Sequence, residues 1–199
     1  MPLTRRPLLI SFAALLLAPV GLRAQESAVL VEGHTFDGRA LVAGSELLLN
    51  GTGVRAVAWF KGFAAGLYLR ARSTTAAQVL AQAGPKRLQL RMLHDVPSKE
   101  FTKAFRKGLQ RNAPAEELPG LSARMLQFEA LVDEVGTVRK GDLINLDLEP
   151  GRGTAFSLNG TLRGEVIAGD DFYAALLRSF VGNRPYDREL RAGLLGRQP

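Results

Sequence analysis

The stretch Lys86-Arg87-Leu88-Gln89-Leu90-Arg91-Met92-Leu93-His94 carries the clearest pattern in the chain. Arg87, Gln89 and Arg91 alternate with Leu88, Leu90 and Met92. A period of two sends successive side chains to opposite faces of a strand, so one face is buried and the other solvated. The sheet that holds this strand therefore needs a cover on one side.

Downstream, the pattern supplies that cover. Ser98 is placed to cap a helix reaching about Asn112, with Phe101, Phe105 and Leu109 four residues apart on one side. A second helix carries Leu121, Met125, Phe128 and Val132 along its apolar stripe. Strands return at Leu143 to Leu148 and Thr154 to Leu158, and Asn159-Gly160 predicts a tight hairpin turn into Thr161 to Ala168. Asp170 then caps a helix through Phe180, Pro185 interrupts, and a short helix from Asp187 to Leu195 closes the domain.

Upstream, Ala28 to Val31, Glu46 to Ala58 and Trp59 to Arg70 read as long, bent antiparallel strands. Glycines at 51, 53, 62 and 66 predict bulges or close backbone approach within them. Strands first, helices in the middle, then a hairpin and more helices give an α+β fold with a mainly antiparallel sheet covered on one face by helices.

The amino terminus reads as an address. Arg5 and Arg6 precede an apolar run from Leu8 to Ala18, and Ala24 ends a cleavage site, which is the layout of a secretory signal over residues 1–24. Thr4-Arg5-Arg6 also fits a twin-arginine signal, so both export routes stay open. Removing those 24 residues leaves 175, the length of one domain over 25–199 that is periplasmic or secreted. Three arginines leave with the signal, which lowers the formal charge from +7 to about +4. The chain has no cysteine, so disulfides, thiolate metal sites and a cysteine nucleophile are excluded.

Familiar chemistry is sparse. His34 and His94 have no metal-ligand spacing, and no serine sits in a nucleophile elbow. Gly51, Gly53 and Ala56 match a dinucleotide fingerprint, but a β-rich segment follows, and Arg70 and Arg72 stand where an acid is needed. The sequence calls for no cofactor and no metal. Lys99, Lys103, Arg106, Lys107 and Arg111 lie opposite the phenylalanines of their helix, which suits a solvated face, an anionic lipid surface or a nucleic-acid backbone; export argues against nucleic acid. Asp170 and Asp171 read as helix-capping acids. Arg55 stands out. In a regular strand it shares a face with Val57 and Trp59, and an arginine among apolar neighbours needs an anion, either a protein carboxylate or a ligand.

Asn50-Gly51-Thr52-Gly53-Val54-Arg55, followed by Lys61 and Ala64-Ala65-Gly66-Leu67-Tyr68-Leu69, resembles the opening of the chalcone-isomerase-like family. Gly84-Pro85-Lys86-Arg87-Leu88, Lys140-Gly141-Asp142, Leu158-Asn159-Gly160, Phe172 with Leu176-Leu177, Gly182 with Pro185, and Leu194-Leu195-Gly196 are similar to its bacterial exported branch. The resemblance implies a large curved antiparallel sheet, a helical layer over one face and a ligand cleft between them. In the plant enzymes of that family a chalcone's phenolate adds to its own enone without a cofactor. An arginine steadies the oxygen, while a threonine, a tyrosine and an asparagine polarise the carbonyl or hold a water. Carried over residue by residue, the arginine is Arg55, the threonine position holds Phe63, the tyrosine falls at Phe101 and the asparagine near Gly108. Each replacement removes a hydroxyl or an amide, and a hydrocarbon ring can neither polarise a carbonyl nor orient water.

Three functions follow from this set. The chain is a non-catalytic protein that holds a small apolar or carboxylate-bearing ligand, fatty-acid-like, at Arg55, Phe63 and Phe101; or an intramolecular lyase whose catalytic residue is Arg55; or an interaction module that meets a partner or membrane surface through its basic helix. Oligomeric state has no signature in the sequence.

Overall fold

The structure is a computed structural model, and it describes residues 27–57 and 60–197. The signal-peptide reading and Trp59 lie outside the described residues. The chain begins with the strands β1 (Val29–Val31), β2 (His34–Phe36), β3 (Arg39–Val42), β4 (Ser45–Val57) and β5 (Phe60–Leu69). The short helix α1 (Ala76–Ala81) leads to β6 (Lys86–Met92) and β7 (Val96–Pro97). Two long helices follow, α2 (Ser98–Asn112) and α3 (Leu118–Asp133). After β8 (Thr137–Val138) come β9 (Leu143–Glu149), β10 (Gly153–Leu158) and β11 (Thr161–Leu162), and then α4 (Asp170–Val181) and α5 (Arg188–Leu194).

Seven strands form one antiparallel sheet in the order β11-β10-β9-β6-β5-β4-β3, with β6 at its centre and its alternate residues buried as its pattern predicts. One face of the sheet presents Phe63, Ala65, Leu67, Leu69, Leu88, Leu90, Met92, Ile144, Leu146 and Phe156 to the helices, and this is the main core. Each large apolar side chain buried there contributes about 1.5–3 kcal/mol. The other face carries the polar partners of the same strands. Arg87 donates to Asp147 through Nε (2.7 Å) and Nη2 (2.6 Å), and Gln89 Nε2 donates to Asn145 Oδ1 (3.1 Å). Phe36 closes part of that face by packing on Leu49, Ala64 and Tyr68.

The glycines of β4 decide where α5 lies. A register shift after Leu49 puts Gly51, Gly53 and Arg55 on the helix-facing side, across from Leu67, Ala65 and Phe63. A Cβ at Gly53 would come within 2.9 Å of the Leu190 carbonyl oxygen, and one at Gly51 would strike the backbone of Gly193 and Gly196. Backbone therefore packs on backbone, and α5 rests directly on the sheet. Asn50 fastens the far end, donating to Leu194 O (2.7 Å) and Ser73 O (3.0 Å) and accepting from Ser73 N (2.7 Å).

Several local expectations are corrected. Arg55 does not continue a regular strand: a second register shift falls between Arg55 and Ala56, so the alternation assumed for Val54 to Trp59 breaks there. Ser98 opens α2 without capping it through its side chain, and Asp170 sends its carboxylate to Gly151 N (3.1 Å) instead of capping α4. The segment after Asn159-Gly160 stays β only at Thr161–Leu162, because Gly164 (φ 62°) turns the chain away and only Ile167 returns to bridge Thr154. Among the described residues no helix is long and apolar enough to cross a membrane.

Candidate ligand-binding cleft

The residue just beyond the end of α5 on its glycine bed is Arg55. Asp187 marks that end: its Oδ1 caps α5 by accepting from Glu189 N (2.7 Å) and Leu190 N (3.0 Å), and its Oδ2 accepts from Ala56 N at the bulge (3.3 Å). One carboxylate thus ties the start of α5 to β4 immediately after Arg55. The Arg55 side chain is half-buried, and its guanidinium lies 5.0 Å from the centre of the Tyr186 ring. A guanidinium over an aromatic face is attracted by the ring quadrupole, which holds the cation without neutralising it. Among the described residues Arg55 forms no ion pair. The structural salt bridge that the sequence left open is therefore not formed within the described chain.

Arg55, Phe63 and Phe101 line one cavity of about 160 Å³, together with Met92, Phe105 and Tyr186. Sheet and α2 supply its two walls. Phe101 and Phe105 face each other at 4.9 Å between ring centres, Phe105 meets Phe180 edge-on at 5.7 Å, and Phe180 meets Tyr186 at 5.1 Å. Rings in such tilted contact are held beyond their simple burial, so the wall is a fixed apolar surface. The polar groups at the cavity are Arg55, Glu100 and Tyr186.

Tyr186 has little chemistry to offer a ligand. Its hydroxyl donates to the Ala104 carbonyl oxygen of α2 at 2.8 Å. Burial pushes this phenol well above its ordinary range, against smaller opposing effects of the Ser179 hydroxyl and then the Arg55 and Arg111 charges, so it stays protonated and already engaged. Gly108 makes room for it, since a Cβ there would run into the Tyr186 hydroxyl and ring.

A second hollow of about 270 Å³ adjoins the cavity, sharing Arg55, Glu100, Ala104 and Tyr186 with it and adding Lys103, Lys107 and Arg111. The site thus has an apolar slot, an arginine at the junction and a basic outer basin. The sequence reading found Arg55, Phe63 and Phe101 and noticed the basic face, but it did not join that face to the cleft. Met92, Val96, Glu100, Phe105 and Tyr186 were missed as lining residues. A larger hollow of about 510 Å³ lies beside Asn50, Arg72 and Arg197, but its wall is an even mixture of polar and apolar groups and the Asn50 amide is already bonded to the chain.

The sequence profile described as chalcone isomerase-like matches residues 28–196. The chain belongs to the chalcone-isomerase-like family. Among curated proteins none matches it. Among solved structures, the crystal structure of an Arabidopsis thaliana fatty-acid binding protein is similar, with a TM-score of 0.63 at 14% identity, covering 84% of this chain and 95% of that one. At that identity the likeness shows the fold: the curved antiparallel sheet with helices on one face is that of the family. Phe63 and Phe101 line the cavity with Arg55, and Gly108 lies against the Tyr186 ring in its wall.

Proposed function

We propose that this chain is an exported, non-catalytic binding protein whose cleft takes a small molecule with an apolar body and an anionic head, a fatty acid being the simplest example. The observation that carries this reading is Arg55, a half-buried cation that faces an apolar cavity and has a ring rather than a carboxylate beside it. A ligand carboxylate would supply the missing partner through a two-pronged charge-assisted bond, while Phe63, Phe101 and Phe105 hold the body. The fatty-acid binding protein of the same fold supports this reading. Among the described residues that line the cavity, Tyr186 is the polar group placed to stand in for the isomerase hydroxyls, and its hydroxyl already donates to Ala104. The signal-peptide reading of residues 1–24 supports an encounter with ligand outside the cytoplasm.

The slot is small. At about 160 Å³ it lies below the roughly 300–1,000 Å³ of drug-sized sites, which suits a short or slender apolar body. The test is native mass spectrometry of residues 25–199 with and without added octanoate, beside Arg55→Ala. The wild type should carry a one-to-one adduct that the variant loses at least tenfold. Empty spectra for both proteins with octanoate present would sink the reading. A chalcone incubated with the wild type should keep its visible absorbance.

A further inference from the structure

The outer basin carries more positive charge than a carboxylate head can use. Glu100, Lys103, Ala104, Lys107 and Arg111 follow one another at helical spacing, so they form one stripe of α2 over the mouth of the slot. Lys103 is partly spent on Glu100, at 3.5 Å. Lys107 and Arg111 are exposed and form no ion pair among the described residues. Arg106, on the same helix, makes the contrast. It is paired with Glu129 of α3, its Nε donating to Oε1 at 2.6 Å, and it does not line the basin.

A single carboxylate has two oxygens, and Arg55 alone can satisfy both in a fork. Lys107 and Arg111 would then face the same hollow with nothing to compensate them. The volumes point the same way. A plain fatty acid is nearly all tail, yet here the charged basin, about 270 Å³, is larger than the apolar slot, about 160 Å³.

Resting on the binding function proposed above, we propose that the ligand is a single-chain amphiphile with a phosphomonoester head. Its phosphate lies in the basin among Arg55, Lys107 and Arg111, and its short chain end lies in the slot. A phosphomonoester has a charge of about −1.5 to −2 at neutral pH and three strong acceptor oxygens, which matches two arginines and a lysine where a carboxylate matches one. Arginine contributes a planar fork to such a group and lysine a mobile point charge.

Calorimetric titration of residues 25–199 at pH 8 with octyl phosphate, octanoate, octanol and inorganic phosphate separates the terms. Octyl phosphate should bind about tenfold more tightly than octanoate, with octanol and inorganic phosphate weaker than either. Lys107→Ala with Arg111→Ala should bring the phosphate preference within about twofold, and Arg106→Ala, which removes a positive charge of the same helix outside the basin, should leave it in place. Moving from 0.05 to 0.5 M salt should cost octyl phosphate more affinity than octanoate, because its extra contacts are solvent-exposed. Octanoate binding as well as octyl phosphate would overturn the phosphate head and leave the binding function standing. Inorganic phosphate binding as tightly as octyl phosphate would make the basin a site for the free ion and overturn the amphiphile. If neither octyl ligand binds, the cleft itself is not a ligand site and both proposals fall.

Discussion

Arg55 has an aromatic ring rather than a carboxylate against its guanidinium among the described residues, and Gly108 is the residue that allows this. The Tyr186 ring that carries the guanidinium can reach its place only because Gly108 has no side chain; an amide there would occupy the volume that Tyr186 now fills. Gly108→Ala puts a Cβ into the Tyr186 hydroxyl and ring, and because α2 is wedged between α3 and α4 it cannot retreat freely. Overpacking of this kind costs about 1–3 kcal/mol. Denaturant unfolding should show a loss in that range, and an unchanged midpoint would mean that the tyrosine is not wedged as described. Arg55 was legible in the sequence as an arginine among apolar neighbours, and the resemblance pointed to Phe63 and Phe101. Tyr186 was not legible, since it follows a proline far along the chain and gains meaning only when α5 folds back onto β4.

At the scale of elements, the acids that open α4 show how a sound local rule can find the wrong partner. Asp170 and Asp171 read as caps, and both stand in the first helical turn where the helix dipole favours them. Asp171, however, is held by Arg124 of α3, whose Nη2 donates to its Oδ2 at 2.8 Å, and this clamps two helices together. The Arg124 hydrogen bond holds the Asp171 carboxyl below the usual carboxylate range, against a smaller opposing effect of burial. A carboxylate whose folded pKa is depressed adds stability above its unfolded value of about 3.9 and loses it as pH falls through the folded value. The Asp171 side chain is 61% exposed, so its share is at most about 1 kcal/mol. Asp171→Asn should therefore unfold slightly more easily at pH 7, with the gap to wild type closing below about pH 4; a gap that persists at pH 2 would assign the loss to something other than this ion pair. The strands and helices with strong periodicity, β6, α2 and α3, were legible. The hairpins β1–β2 and β3–β4 were hidden because their turns are Glu32-Gly33 and Ala43-Gly44, without the asparagine or aspartate that signals a tight turn; in both, the two residues have positive φ.

For the whole molecule, the decisive contrast lies between the two faces of one sheet. The helix-facing side is mainly apolar, with Arg55 as a charged exception at the cleft, whereas the other is held by Arg87 with Asp147 and Gln89 with Asn145. That layering was legible because alternation in β6 and apolar stripes in α2 and α3 are properties of short sequence. The cleft was not, because its wall is assembled from β4, β5, β6, α2 and the turn before α5, and no local pattern records how those segments meet. A site assembled in this way exists only in the folded state, so its ligand must stabilise the whole fold. Binding to the native state alone adds RT ln(1 + [L]/Kd), about 2.7 kcal/mol when ligand stands at 100 times Kd. For a domain of this size each kcal/mol moves the midpoint about 2–4 °C, so octyl phosphate at that excess should raise Tm by roughly 5–10 °C. Arg55→Ala at the same ligand concentration should show almost none of that rise, while its Tm without ligand stays close to that of the wild type because no internal ion pair is lost. An equal rise in both proteins would place the ligand on another surface of the molecule.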